Sequence, residues 1–388
     1  MSGGPLAGLR VVEIAGIGPG PYAGMLLADL GAEVLRIDRL DAPPRVSAPG
    51  NVLRRNRRSL AVDLKAPGAR ELVLDLARTA DVLLEPFRPG VAERLGIGPD
   101  DCLAVNPRLV YGRVTGWGRE GPLAPRAGHD IDYLAVAGGL HPLGRAEERP
   151  APPLNLVADF AGGALFLVVG VLAALHERTR SGEGQVVDAA MIDGVASLTA
   201  MIHGLRALGE WREERGTNEL DTGSPYYEVY ETADGGYLAV GAIEPKFYTE
   251  MLRGFGLDPA QWPQHDRSRW PALKQALAEV IATRTRDEWA AVFADRDACV
   301  APVLALSEAP QHPHNRARGV FVEVAGVVQP APAPRFGRTP PPPVRPSPPN
   351  GADTDAVLRE LGYDAARIAA LRAAGVVDSY TITNVSNT

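Results

Sequence analysis

The chain has 388 residues, 45% of them hydrophobic and 22% charged, with a formal net charge of -7. This is ordinary globular composition in a chain too long for one small core, so two domains are expected. The acidic balance argues against general nucleic-acid binding, which needs a basic excess to neutralise phosphates.

The residues from Leu9 to Ala15 read as a buried strand, followed by the turn Gly16-Ile17-Gly18-Pro19-Gly20-Pro21 and a helix over Tyr22 to Leu30. Val34 to Ile37 is the next strand. Ala69 to Ala80 and Asp100 to Val105 read as helices, each leading into a strand, Asp81 to Leu84 and Leu109 to Val114. Such alternation predicts a parallel sheet with helices on its faces. A long helix is expected over Asp159 to Thr179. A strand starting at Gln185 leads at Met191 into another helix, which ends near Leu208.

The pattern then changes to a smaller α+β unit. Tyr226 to Glu231 and Tyr237 to Ile243 flank Asp234-Gly235-Gly236, a hairpin signal, and helices are expected at 244–253, 270–283 and 286–294. The stretch 329–349 holds ten prolines in 21 residues and must run extended. Asp355 to Ala374 is again helical, with Gly375 ending it. The polar segment 378–388 reads as a frayed or disordered tail.

Cys102 and Cys299 are too few for a disulfide framework or a zinc cluster and fit a reducing, cytoplasmic setting. No signal peptide is visible. The longest apolar run, Ala161 to Leu175, is shorter than the roughly 20 residues of a membrane span and reads as a core helix.

The chemistry concentrates in two boxes. Ala127-Gly128-His129-Asp130-Ile131-Asp132-Tyr133 is followed 30 residues later by Val157-Ala158-Asp159-Phe160-Ala161-Gly162-Gly163. A histidine and a carboxylate beside glycine-rich backbone have the parts needed to move a proton on and off carbon. Plainer roles stand beside this one. Asp159 precedes a helix and suits an N-cap, His129 suits a structural loop position, and Glu244 before Pro245 suits a cap.

Two further signals need weighing. Gly18-Pro19-Gly20-Pro21-Tyr22-Ala23, with Asp38 20 residues beyond Gly18, formally matches a dinucleotide fingerprint. Pro19 and Pro21 remove two N–H donors that a pyrophosphate needs, so a tight strand-to-helix turn is the better reading. The arginines 36, 39, 45, 54, 55, 57 and 58, with Lys65, form either a solvated face or a site for a small polyanion.

Taken together, several segments resemble the family III CoA-transferases and, within them, the α-methylacyl-CoA racemase group. These are Gly18 to Pro21 with Leu26-Leu27-Ala28-Asp29-Leu30-Gly31-Ala32-Glu33-Val34, the Gly128-His129-Asp130-Ile131 box, Pro153-Leu154-Asn155-Leu156, Asp159-Phe160-Ala161-Gly162-Gly163, Gly184-Gln185-Val186-Val187-Asp188-Ala189 and Gly241-Ala242-Ile243-Glu244-Pro245. The resemblance runs in matching order to about Val377.

The resemblance implies an α/β fold with a large Rossmann-like CoA-binding domain, a smaller α+β domain and an interlocked homodimer. Its bounds are 1–186 for the first part of the large domain, 187–224 for linker helices, 225–316 for the small domain and 317–377 for the returning segment. It also implies racemisation of 2-methylacyl-CoA thioesters. His129 and Asp159 are then the proton-transfer pair, Glu244 orients the histidine and Asp130 tunes the site. CoA is expected on Arg39, Val62, Asp63, Leu64, Lys65 and Arg88 and along Gly128, His129, Asp130, Ile131, Asp132 and Tyr133. CoA is part of the substrate, and no metal or other cofactor is expected.

Gly162 and Gly163 are expected to open a helix whose N–H groups face the enolate. Position 132 departs from the group's usual Asn, and Thr222 and Ser224 stand where Gly and Ala are usual. The alternative is a CoA-transferase with Asp159 as nucleophile.

Overall fold

The computed structural model describes residues 3–42, 48 and 50–378. They fall into two units, one drawn from Met1–Ala137, Pro153–Leu198 and Arg316–Thr388, the other from Gly138–Pro152 and Thr199–Asn315.

Short runs rich in Val, Leu, Ile and Ala, with buried charges set among them, make the strands of the first unit. They are β1 (Arg10–Ile14), β2 (Glu33–Asp38), β3 (Arg58–Val62), β4 (Val82–Glu85), β5 (Val110–Thr115) and β6 (Val186–Ala190). The helices between them are α1 (Pro19–Asp29), α2 (Ala69–Thr79), α3 (Val91–Arg94), α4 (Pro99–Val105), α5 (Asp130–Val136), α6 (Phe166–Ser181) and α7 (Met191–Leu198). The six strands pair in parallel in the order β3-β2-β1-β4-β5-β6. All residues of β4 and β5 are buried, as expected for strands covered on both faces. Leu60, Leu83 and Tyr111 pack with Leu72, Val73 and Leu76 of α2 in one core. The strand order reverses between β1 and β4. In doubly wound sheets, ligands bind outside the carboxyl ends of the strands at such a point.

The second unit contains α8 (Ala200–Ala207), β7 (Tyr227–Glu231), β8 (Tyr237–Gly241), α9 (Pro245–Gly254), α10 (Trp270–Ile281), α11 (Arg286–Phe293) and β9 (Val300–Pro302). Its sheet is antiparallel, β7-β8-β9, and its core is aromatic, with Tyr226, Phe255, Trp270, Trp289 and Phe293 buried together. After α12 (Pro313–Arg318), the antiparallel pair β10 (Phe321–Val324) and β11 (Val327–Pro330) precedes the proline-rich stretch. No helix or strand occurs from there until α13 (Thr354–Glu360). After α14 (Ala365–Ala373), β12 (Val377–Asp378) closes the edge of the large sheet, antiparallel to β3.

Several sequence expectations are corrected. The helix near Asp159 begins at Leu156, and its first ten residues, Leu156–Leu165, are wound as a π-helix before α6. Together they make a continuous helix of 26 residues, long and apolar enough by length and composition to cross a membrane. One face of it packs into the first unit through Ala158, Gly162, Leu167 and Val171. The helix expected to run from Met191 to Leu208 breaks into α7 and α8, and the one over 355–374 breaks at Gly362, with φ +81. Strand β3 was not expected, because it starts inside the arginine run. The tail from 379 onward lies outside the described residues.

Candidate active site

Two cavities open along the carboxyl ends of the strands. The larger, about 650 Å³, lies over β1, β2 and β3 and is lined by Arg39, Val62, Asp63, Leu64 and Lys65. The smaller, about 240 Å³, lies over β5 and the turn after β1. Its walls include Gly18, Arg88, Gly128, His129, Tyr133 and Asp159. Phe87 borders both cavities.

His129 is not in a free loop, as its glycine neighbour suggested. It is the N-cap of α5, and the Asp132 carboxylate accepts the His129 backbone N–H at 2.9 Å. Asp132, the departure from the family box, thus caps the helix that presents the histidine. Asp130 is buried and turns inward. Its Oδ2 accepts the backbone N–H groups of Ala158 at 2.8 Å and Asp159 at 2.7 Å. These bonds tie the start of α5 to the π-wound segment. Asp130 therefore acts on the site by holding backbone.

Asp159 is half-buried. Burial pushes its carboxyl above the ordinary range, opposed by the Asn155 side-chain amide at 3.4 Å. The Asp130 charge adds to the rise, and His129 acts against it. The cavity therefore brings a carboxyl held toward its protonated form together with an imidazole, two side chains of the kind that carry protons in general acid–base chemistry.

Glycines make this approach possible. Gly18 has φ +66, and a Cβ there would lie 2.8 Å from Asp159 Oδ2. Gly162 and Gly163 do not open a helix. They lie inside the π-wound segment, where Gly162 meets Gly194 of α7 and Gly163 meets Met191 and Pro19. Contrary to the sequence reading, they therefore offer no helix-terminal N–H groups to an enolate. Tyr133 donates its hydroxyl hydrogen to the Gly128 carbonyl and packs edge-on to Trp117, ring centroids 4.8 Å apart.

The arginine run is neither a solvated face nor an open anion site. Arg36, Arg54, Arg55 and Arg57 are buried and paired with Glu13, Asp38 and Asp29. Arg58 pairs with Glu33 and Glu360. Arg45 lies outside the described residues. Arg39 remains exposed, paired with Asp41 at 2.7 Å on the wall of the larger cavity.

Of the expected site residues, Arg39 and Val62 to Lys65 share one cavity, and Arg88, Gly128, His129, Tyr133 and Asp159 share the other. Asp130, Ile131 and Asp132 do not line either of these two cavities. Glu244 belongs to the second unit, as the N-cap of α9. The sequence reading missed Phe87, Arg94, Arg126 and the trio Thr115-Gly116-Trp117. The trio was findable, since it follows an expected strand at its carboxyl end. Thr115 Oγ1 and Trp117 Nε1 are buried without a hydrogen-bond partner. Among the described residues, no group of three or more His, Cys, Asp or Glu is arranged to hold a metal.

A doubly wound α/β unit with paired cavities at its switch point, one of them lined by a histidine and a half-buried aspartate, defines an enzyme-like ligand site. The chain belongs to the CoA-transferase family III, whose family model matches residues 6–354. It is 46% identical to the α-methylacyl-CoA racemase of Mus musculus over 377 residues, covering 96% of this chain and 98% of that protein. The human enzyme of the same name is 44% identical over the same shares. Among solved structures, a CaiB/BaiF family protein from Brucella suis matches with a TM-score of 0.79 and 26% identity. That match covers 92% of this chain and 99% of the other.

Proposed function

We propose that the protein interconverts the two epimers of 2-methylacyl-CoA thioesters by moving one proton off and onto the α-carbon. The observation that carries this reading is the presence of His129 and Asp159 in the walls of one small cavity, with the Asp159 carboxyl raised by burial. One of the pair takes the α-proton, leaving an enolate. The other delivers a proton to the opposite face, so atoms and charge balance without an acceptor acid. Thr115 and Trp117 line this cavity and each carries a buried donor without a partner, which makes them candidates, beside Arg88 and Arg126, for holding the enolate oxygen.

The larger cavity next to it suits the nucleotide end of CoA. Arg39 and Lys65 provide cations and Leu64 and Phe87 apolar wall. The racemase relatives' names and their near-complete coverage support the same substrate class.

The reading extends to assembly as an interlocked homodimer. Helix α8 buries none of its residues, and Met201 and Leu208 are exposed. In the first unit Leu165, Phe166 and Val169 are exposed along one helix. Such apolar faces call for a cover, and a second copy of the chain supplies it. Glu244, expected to hydrogen-bond His129, belongs to this part of the proposal. So does the cytoplasmic setting, with Cys102 and Cys299 both free thiols.

The test is incubation with (R)- or (S)-2-methylacyl-CoA in D2O without an acceptor acid. Uptake of α-deuterium with inversion is expected. Absence of exchange, with CoA transfer once a free acid is added, would install Asp159 as a nucleophile instead. His129→Ala and Asp159→Ala are each expected to abolish exchange while CoA binding persists.

A further inference from the structure

The turn that faces Asp159 cannot set its own shape. Gly16-Ile17-Gly18-Pro19-Gly20-Pro21 combines three flexible glycines with two residues that lack an N–H. The Tyr22 N–H to Gly18 carbonyl bond is long, at 3.4 Å. Yet this turn places Gly18 against the Asp159 carboxylate and Ile17 in the wall of the same cavity.

We infer that Glu13, acting through Arg36 and Arg57, is the positioning device for this turn, and so for the surroundings of Asp159. Glu13 is the penultimate residue of β1 and is fully buried. One of its carboxylate oxygens accepts from Arg36 and the other from Arg57. Arg36 Nη2 donates to the Gly16 carbonyl at 3.3 Å, and Arg57 Nη2 donates to the Pro21 carbonyl at 3.0 Å. One carboxylate therefore grips two guanidinium groups, and these grip both ends of the turn. Asp38 accepts from Arg36 Nε at 2.8 Å and steadies it from the other side. Helix α1 leaves the room: a Cβ on Gly24 would lie 2.1 Å from Glu13 Oε2.

The chemistry is expensive for a mere filler. Taking a carboxylate and two guanidiniums out of water carries a desolvation penalty that apolar residues of similar volume avoid. What the charges provide is directed reach from β1 to two chosen carbonyls.

The groups facing Asp159 are few. Helix α5 brings His129, Asp130 and Tyr133, and its own segment brings Asn155. Arg88 and Arg126 line the cavity, while the turn brings no charge. The turn acts on Asp159 by excluding water and fixing position. Its release lets water reach the carboxylate and lowers its pKa toward the ordinary range.

The test uses the full-length protein, with aspartate 13C-labelled and the Asp159 resonance assigned through Asp159→Asn. Arg36→Lys and Arg57→Lys keep a cation on Glu13 but give up the second reach to the turn carbonyl. In both, the Asp159 titration is expected to move to lower pH. Because the link to rate rests on the racemase reading, α-deuterium exchange is measured beside it. A fall in kcat of about tenfold or more, with KM within about twofold, is expected. Glu13→Gln is expected to behave likewise; should it not fold, the two lysine variants carry the test. An unshifted Asp159 titration in the folded variants, whatever their melting temperatures, overturns the inference. A wild-type protein that exchanges no α-proton removes the racemase reading and leaves the titration test standing.

Discussion

Asp130 and Asp159 are joined through backbone: the carboxylate of the first accepts the amide N–H of the second at 2.7 Å. The same oxygen holds the Ala158 N–H, so one buried side chain fixes where the Asp159 Cα sits relative to α5. Asp130→Ala leaves two buried donors unpaired, at about 1–3 kcal/mol each. We expect a lower melting temperature and a kcat reduced by about two orders of magnitude. Asp130→Asn keeps an acceptor and should retain much of both. Thermal unfolding and D2O exchange on the two variants decide it; equal loss in both would assign the effect to charge instead of backbone anchoring.

Asp132 carries a milder expectation. Its carboxylate caps α5 at the His129 N–H. Asp132→Ala should cost about 1 kcal/mol and slow exchange several-fold, while Asp132→Asn, which restores the family's usual residue, should be nearly silent. Denaturant melts and steady-state rates test this. A change of acyl-chain preference in Asp132→Asn would show that the residue meets substrate after all.

These two carboxylates illustrate what was legible in the sequence. Strands such as β1, β4 and β5 and the hairpin at Gly235 were readable because apolar runs and turn residues are local signals. That His129 and Asp159 line one cavity was suggested by the order of the matching motifs, not by local pattern. The burial of Arg36, Arg54, Arg55 and Arg57 was not readable, because their partners Glu13, Asp29 and Asp38 lie up to 44 residues away along the chain. Nothing in composition says that a run of arginines points inward. Helix α5 was hidden by Gly128. Asp132, three residues after His129, was its capping signal, in a box with His and Asp where Ser or Thr and Glu are usual. The winding of Leu156–Leu165 has no periodicity that separates it from an α-helix over so short a stretch.

Gly18→Ala should be more harmful than a glycine-to-alanine change usually is. The added methyl group would meet Asp159 Oδ2 at 2.8 Å, and φ +66 disfavours any side chain. Exchange activity should fall by about tenfold or more while CoA still binds, as the larger cavity is untouched. Calorimetric titration with CoA beside the rate assay separates the two; unchanged kcat would mean that the turn is free to move.

Glu85 gives a pH dependence of stability. It is buried at the end of β4, where burial pushes its carboxyl up to about 7, with Arg113 pulling the other way. The folded-state value is above the unfolded one, so this group's contribution is fully present below the unfolded value of 4.5 and is lost as pH rises through about 7. Relative to Glu85→Gln, wild-type stability should therefore decline across that window and then level off. Urea unfolding at a series of pH values measures the difference. A difference that instead rises with pH through 4.5 would mean that Arg113, at 2.7 Å, keeps Glu85 ionised in the folded protein, and a flat one that folding leaves its titration unchanged.

Arg39→Ala and Lys65→Ala should raise KM for the acyl-CoA without lowering kcat, because both stand at the larger cavity, away from the reacting pair. The loss should shrink at high salt, as for exposed cations that meet phosphate. A drop in kcat at constant KM would place them elsewhere in the cycle.

The π-wound segment has a consequence for chain length. A π turn holds one more residue than the α turn it replaces. Deleting a single residue between Asp159 and Phe166 can therefore be absorbed by relaxing one π turn to α, which leaves the Asp159 carboxylate nearly in phase with α6. An inserted residue has no such outlet and would turn that carboxylate by roughly 100° about the helix axis. Hydrophobic substitutions there can be absorbed by repacking, so the segment tolerates exchange and one loss of residue but not a gain.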